Sequence, residues 1–294
     1  MEKYWDLFVK GYTDYANYLW NEITFQSTPW WKNYFFWLML VSALFLALEW
    51  LKPWREAQPK FRKDFWLDFF YMFFNFFLFN LIIYIAGSNV VVELFNQLLA
   101  SVGINNLVAL KIASWPVWAQ LFSLFIIRDF VQWNIHRLLH AVPFLWEFHK
   151  VHHSVEQMGF AAHLRYHWME TIVYRSLEYL PLAMIGFGID DFFTVYIFTL
   201  AVGHFNHSNI SVPLGPLKYI FNNPQMHIWH HAHELPETHP RGINFGLTLS
   251  IWDYLFGTAV IPHDGKDIKL GFPGVESFPE TFWQQITYGF RRKR

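Results

Sequence analysis

Residues 34–50 read YFFWLMLVSALFLALEW, without a charged side chain until Glu49. A run of this kind is close to the roughly 20 apolar residues that carry a helix across a hydrocarbon core. Moving outward, Phe65–Ala86 is a second long apolar run, interrupted only by Asp68, Asn75 and Asn80. The connection between them, LKPWREAQPKFRKD from Leu51 to Asp64, carries Lys52, Arg55, Lys60, Arg62 and Lys63. Short loops rich in Lys and Arg stay on the cytoplasmic side, so the first span runs inward and the second outward. Gly87–Ser114 then falls on the outer face, where its apolar content predicts a segment lying along the membrane. A third span from Trp115 to about Ile135 returns inward. Thr171–Gly188 and Phe192–Val202 make an out-and-back pair, either spanning or re-entrant, because Arg175 and Glu178 interrupt the first member. The basic end Arg291–Arg294 joins the cytoplasmic charges.

Composition agrees with a bilayer as solvent. Of 294 residues, 54% are hydrophobic, 21% aromatic and only 15% charged, more bulky apolar surface than one soluble core accommodates. A large soluble all-α protein is the alternative. The net charge of −1, with no long basic run before the last four residues, excludes the electrostatic footprint of a nucleic-acid binder. With no cysteine there are no disulfides, thiolate zinc sites or Cys-ligated iron–sulfur clusters, so any metal must be held by His, Asp, Glu or Asn. The first residues lack a basic region leading into an apolar stretch, and no removable signal peptide is expected. Gly186-Phe-Gly188 lacks the remaining features of a dinucleotide fingerprint.

The 15 histidines all lie at or after residue 136. His136 and His140 form a His-x-x-x-His pair at the inner end of the third span, and residues four apart share a helix face. His149-Lys-Val-His152-His153 and His227-Ile-Trp-His230-His231 are two copies of His-x-x-His-His, whose offsets of zero, three and four again share a face. Eight imidazoles are too many for one zinc-type site, and two ions fit better. His207, in HFNHSN, together with His204 and His167, in RYHWME, are further candidate ligands. His163, His233, His239 and His263 read as non-ligands. Imidazole alone does not choose among iron, zinc, copper and nickel.

With these groups in view, the chain resembles the fatty acid hydroxylase superfamily, which includes sterol desaturases, sterol methyl oxidases, lipid hydroxylases and alkylglycerol monooxygenase. The resemblance lies in DFVQWNIHRLLHAVPFLWEFHKVHHS (Asp129–Ser154), HSN at 207–209, PLGPL at 213–217, NPQMHIWHH at 223–231, NFG at 244–246 and WDYLFGT at 252–258. It covers about residues 115–260. It implies ligand roles for His136, His140, His149, His152, His153, His207, His227, His230 and His231, and His167 matches a further His box. Where some members carry a His four residues before the counterpart of His207, His204 stands three before it.

The resemblance also implies chemistry: two iron ions, O2 as co-substrate, a lipid substrate, and reducing equivalents from a separate cytochrome b5-like or ferredoxin-like donor. Zinc could replace iron in overexpressed protein. Asp129, seven residues before His136 on the same face, is a candidate orienting partner for a ligand imidazole or an interfacial charge; Asp253 and Asn206 are candidates of the same kind.

The expectation is an all-α integral-membrane bundle of about four or five helices with a cytoplasmic helical cap holding a dinuclear His-rich site. Residues 1–114 form an N-terminal membrane region, 115–262 the catalytic region and 263–294 a cytoplasmic tail, in a bacterial inner or ER membrane. The expected activity is lipid hydroxylation, with desaturation or ether-lipid oxygenation as alternatives. A His-rich metal transporter would distribute its histidines along the spans, and a bis-histidine haem protein would oppose isolated histidines. Here they gather on one side.

Overall fold

The structure, a computed structural model, describes residues 2–81, 85–103 and 111–290. Arg291–Arg294 and parts of the Phe65–Ala86 and Gly87–Ser114 readings lie outside the described residues. Twelve α-helices are seen among those residues: α1 (Glu2–Ile23), α2 (Tyr34–Leu51), α3 (Phe65–Phe73), α4 (Ile85–Ser101), α5 (Val117–Ala141), α6 (Pro143–His153), α7 (Trp168–Tyr174), α8 (Leu180–Ile185), α9 (Ile189–His207), α10 (Pro224–His230), α11 (Ile251–Leu255) and α12 (Phe282–Gln285). No strand occurs among them, only the isolated bridges Phe221 with Leu249 and Ala232 with Leu270. The fold is all-α.

The run at 34–50 is α2. Asn33 caps it by accepting from the Phe36 N–H at 2.7 Å. Among the described residues α2 is the one helix both long and apolar enough to cross a membrane by length and composition. The second apolar run differs from its reading as one plain helix. α3 passes into a π-helical turn at Phe74–Leu78, and α4 is a separate helix packed along α1, with Tyr4 donating to Gln97 at 2.9 Å. Asp68, Asn75 and Asn80 are buried in protein. The third span and the first histidine pair share one continuous helix, α5. The out-and-back pair becomes α7, a π turn at Arg175–Tyr179 and α8, followed by α9.

The charge that made the first of this pair a weak span has a partner. Glu178 accepts from Arg128 Nε of α5 at 2.6 Å and from Gln132 at 2.8 Å, while Arg128 lies over the Tyr196 ring of α9. Ionisable groups inside an apolar bundle face inward and pair in this way, because an isolated charge there is costly. Arg128→Leu is therefore expected to destabilise the fold by about 3–5 kcal/mol, having left Glu178 buried and unpaired. The double replacement Arg128→Leu with Glu178→Leu should recover most of that loss, which chemical denaturation in detergent would read.

Helix directions concentrate function at one end. The C-terminal ends of α2, α5 and α9 meet there: Glu49 accepts from the Phe160 and Asn209 N–H groups at 2.7 and 2.8 Å. Leu38, Phe45, Phe65, Met72, Phe160 and Leu200 form the core between α2, α3 and α9. A second core of Val155, Met158, Ile228, Trp229 and Ile243 packs α10 against the chain that follows α6. Residues 263–290 pack on the rest of the chain, with Phe272, Val275 and Phe278 against Tyr71 and Val151. The basic connection between α2 and α3 lies on the same end, where Trp54 N–H donates to Asn209 and Arg55 to the Met158 carbonyl.

Candidate metal centre

Two groups of histidines that could each hold an ion face one another at this end. The first comprises His136, His140, His149, His153 and His230; the second comprises His152, His207, His227 and His231. Within each group the candidate ligand atoms lie within 4.8 Å of one another. The two His-x-x-His-His triplets are divided between the groups. On α6, His149 and His153 serve the first and His152 the second; around α10, His227 and His231 serve the second and His230 the first. Each i,i+4 pair thus stacks toward one position, while the residue at i+3 is turned to the other. Asn223 caps α10 by accepting from the Met226 N–H, and Pro224 presets its first turn.

The ring nitrogens face inward without protein donors. Nε2 of His140, His153 and His230 and both ring nitrogens of His231 are buried with no hydrogen-bond partner. Elsewhere nitrogen faces nitrogen: His136 and His149 Nε2 are 3.2 Å apart, His152 and His207 Nε2 3.3 Å, and His207 and His227 Nε2 3.0 Å. Unpartnered buried polar atoms are costly in a protein that never fills the site. At metal–nitrogen distances of about 2.0–2.1 Å, nitrogens this far apart subtend roughly 90–110° at a shared ion. The residues present therefore fit a pair of metal ions.

Backing hydrogen bonds fix which nitrogen is free. Nδ1 donates to the Phe245 carbonyl from His136 (2.8 Å), to Arg165 from His152 (3.0 Å), to Gly203 from His207 (2.8 Å) and to Ile243 from His230 (2.8 Å). His149 Nδ1 donates to Glu170 Oε2 at 2.8 Å. With the proton on Nδ1, the Nε2 lone pair points into the cluster. Burial drives His149 and His152 down to about 3 and His230 and His231 well below the ordinary histidine range. At neutral pH these rings are uncharged, the form that ligates.

A sequence profile described as fatty acid hydroxylase matches residues 121–258, just under half of the chain, and that segment contains all nine of these histidines. This region belongs to the fatty acid hydroxylase superfamily. Among proteins similar to the chain are ornithine lipid hydroxylase OlsE of Rhizobium tropici, 32% identical over 61% of this chain and 53% of its own length, and alkylglycerol monooxygenase of Homo sapiens, 30% identical over 58% and 40%. Very-long-chain aldehyde decarbonylase GL1-10 of Oryza sativa subsp. japonica is 28% identical over 48% and 46%. The chain matches about half or less of the length of these relatives. No solved structure matches.

Within the fatty acid hydroxylase region, the other sequence candidates have different positions from those expected. His167 caps α7: its Nδ1 accepts from the Met169 N–H at 3.1 Å and its Nε2 donates to the Ile286 carbonyl at 2.7 Å. His204 is 3.0 Å from Ser42 Oγ through Nε2 and 2.9 Å from His163 Nδ1 through Nδ1. Both nitrogens of each ring are engaged, and both residues lie outside the two groups. His163, His233, His239 and His263 lie outside them as well.

Asp129, Asp253 and Asn206 hold backbone rather than imidazoles. Asp129 accepts from the Thr248 and Leu249 N–H groups and from Trp252 Nε1. Asp253 accepts from Trp133 Nε1 (3.0 Å), Thr258 Oγ1 (2.6 Å) and the Phe245 and Gly246 N–H groups (2.9 and 2.7 Å). Asn206 donates to the Leu247 carbonyl at 2.6 Å. All three fasten the segment 245–249, whose Phe245 carbonyl orients His136. A side chain at Gly246 would sit 2.5 Å from the Leu249 carbonyl oxygen, so only glycine fits this cradle.

Glu170, the carboxylate that does reach a ligand-type ring, was missed in the sequence. It stands in the RYHWME motif beside His167, but its pairing with His149 needs the chain reversal between α6 and α7.

Proposed function

We propose that this protein is an integral-membrane, O2-dependent di-iron hydroxylase acting on an unactivated C–H bond of a membrane lipid. The observation that carries this reading is the pair of buried histidine groups with inward, unpartnered ring nitrogens. In this reading the five-histidine group holds one ion and the four-histidine group the other. Iron at both positions supplies O2 activation, with reducing equivalents drawn from a separate cytochrome b5-like or ferredoxin-like donor. The chain's own residues keep the imidazoles neutral, fix their tautomers through the backing carbonyls and Glu170, and exclude bulk water from the cluster. Zinc bound in overexpressed protein is compatible with the same ligands.

The membrane setting is supported by α2, about 27 Å long at 1.5 Å per residue. Exposed Trp30 and Trp31 precede it, and Trp50, Phe61 and Trp66 pack together at its other end, giving aromatic anchors one hydrocarbon thickness apart. Met39, Leu40 and Leu44 are exposed between them. The basic loop at 52–63 lies at the histidine end, which supports a cytoplasmic site in a bacterial inner or ER membrane. In the same reading, residues 1–114 form the N-terminal membrane region, 115–262 the catalytic region and 263–294 a cytoplasmic tail. A hydroxylase and a monooxygenase among the relatives favour oxygen insertion over desaturation.

The test is isotopic. Membranes containing the iron-loaded protein, supplied with a reductant and 18O2, are expected to yield a lipid carrying one 18O atom by mass spectrometry. Unlabelled lipids, with O2 consumption no higher than in membranes without the protein, would remove the hydroxylase assignment.

A further inference from the structure

The imidazoles are not backed alike. His136 and His230 of the first group, and His152 and His207 of the second, donate Nδ1–H to neutral backbone carbonyls. Among the described residues, only the backing hydrogen bond of His149 runs to a carboxylate, Glu170. Both side chains are almost fully enclosed, 3% and 4% exposed, so solvent screens the contact little. On the four-histidine side His152 is backed by the carbonyl of Arg165, whose guanidinium contacts Asp64 and Asp68, and Asp68 also pairs with Arg62.

Glu170 is held rigidly for this contact. It is the third residue of α7, and its Oε1 accepts from the backbone N–H of His167 at 3.2 Å in a capping box. His167 is itself anchored to Ile286, so a residue that resembles a ligand in sequence aligns the carboxylate that backs one.

We propose that Glu170 makes the two metal positions unequal, giving the five-histidine position the tighter hold on a divalent ion. A carboxylate behind a ligating histidine raises the basicity of that ring and fixes its orientation, and loss of such a partner typically costs 10–100-fold in metal affinity. Glu170 is thus a positioning residue acting through His149. The inference rests on the two-ion reading.

The experiment titrates the metal-free full chain in detergent with Co(II), following visible absorption and competition with a chelator. Wild type is expected to take up two ions. Glu170→Gln keeps an acceptor near His149 Nδ1 but removes the charge, and should weaken one ion about 10–100-fold while leaving the other unchanged. The loss should persist with His231→Ala, which leaves the five-histidine position intact, and vanish with His149→Ala, which removes the ring that Glu170 backs. Glu170→Asp should recover most of the affinity. Equal weakening of both ions, a loss that survives His149→Ala, or no change with two ions bound would overturn the inference alone. Fewer than two ions in wild type would overturn the dinuclear reading, and this inference with it.

Discussion

His231→Ala is expected to abolish the proposed lipid oxidation while leaving a folded protein. Both ring nitrogens of His231 are buried without partners, so in the metal-free fold this imidazole contributes burial cost and no hydrogen bond. Its removal takes one ligand from the four-histidine group and relieves an unsatisfied polar group worth about 1–3 kcal/mol. Against this stands a small cavity, so the metal-free stability should change little. Product formation should fall by on the order of 100-fold or more, as losing a ligand exceeds the penalty of losing a ligand's partner. Thermal unfolding with and without metal is the check: the metal-free proteins should coincide, and only wild type should gain fully from added ions. Retained turnover in His231→Ala would remove this residue from the centre.

Asp253→Ala should act in the opposite way, through the fold. The carboxylate is fully buried and collects four donors, from Trp133, Phe245, Gly246 and Thr258. Burial pushes its carboxyl up, and those hydrogen bonds hold it down. Alanine would leave the donors buried and unpaired, costing about 3–5 kcal/mol in sum. The loop carrying the Phe245 carbonyl should loosen, and with it His136. Expected readouts are lower thermal stability even without metal and weaker binding at the five-histidine position. Unchanged stability would mean that the cradle at 245–249 is held by other contacts.

The contrast between these two residues marks what the sequence makes legible. Offsets of three and four within a helix are local, so His136/His140 and the two triplets are visible as one-face groups, and α2 is visible as an unbroken apolar run. The division of each triplet between two positions depends on how α5, α6, α9 and α10 converge, which no local spacing encodes. His204 has the right helical spacing to His207 and His167 lies in a ligand-like motif, yet Ser42, His163, Met169 and Ile286 occupy their nitrogens. Asp129 lies on the helical face of His136 but turns to the chain at 248–252, because three donors converge on it there. The break in the second apolar run at the π turn of residues 74–78 likewise reflects packing, with Asn75 donating to the Tyr166 carbonyl.

The buried Arg128–Glu178 pair shows the same limit from the other direction. Glu178 weakens the membrane reading of its own segment, and its partner stands 50 residues earlier on α5. A hydropathy window sees the charge and not the partner. Its cost is met by a contact between helices that only the folded bundle supplies.

The central claim is that this chain holds two metal ions in its histidine groups, and elemental analysis of the purified protein tests it most directly. Wild type is expected to contain about two transition-metal ions per chain, and the content should fall sharply in His152→Ala combined with His230→Ala, which removes one ligand from each group. One ion or none in wild type, or a metal content unchanged by the double replacement, would contradict the account.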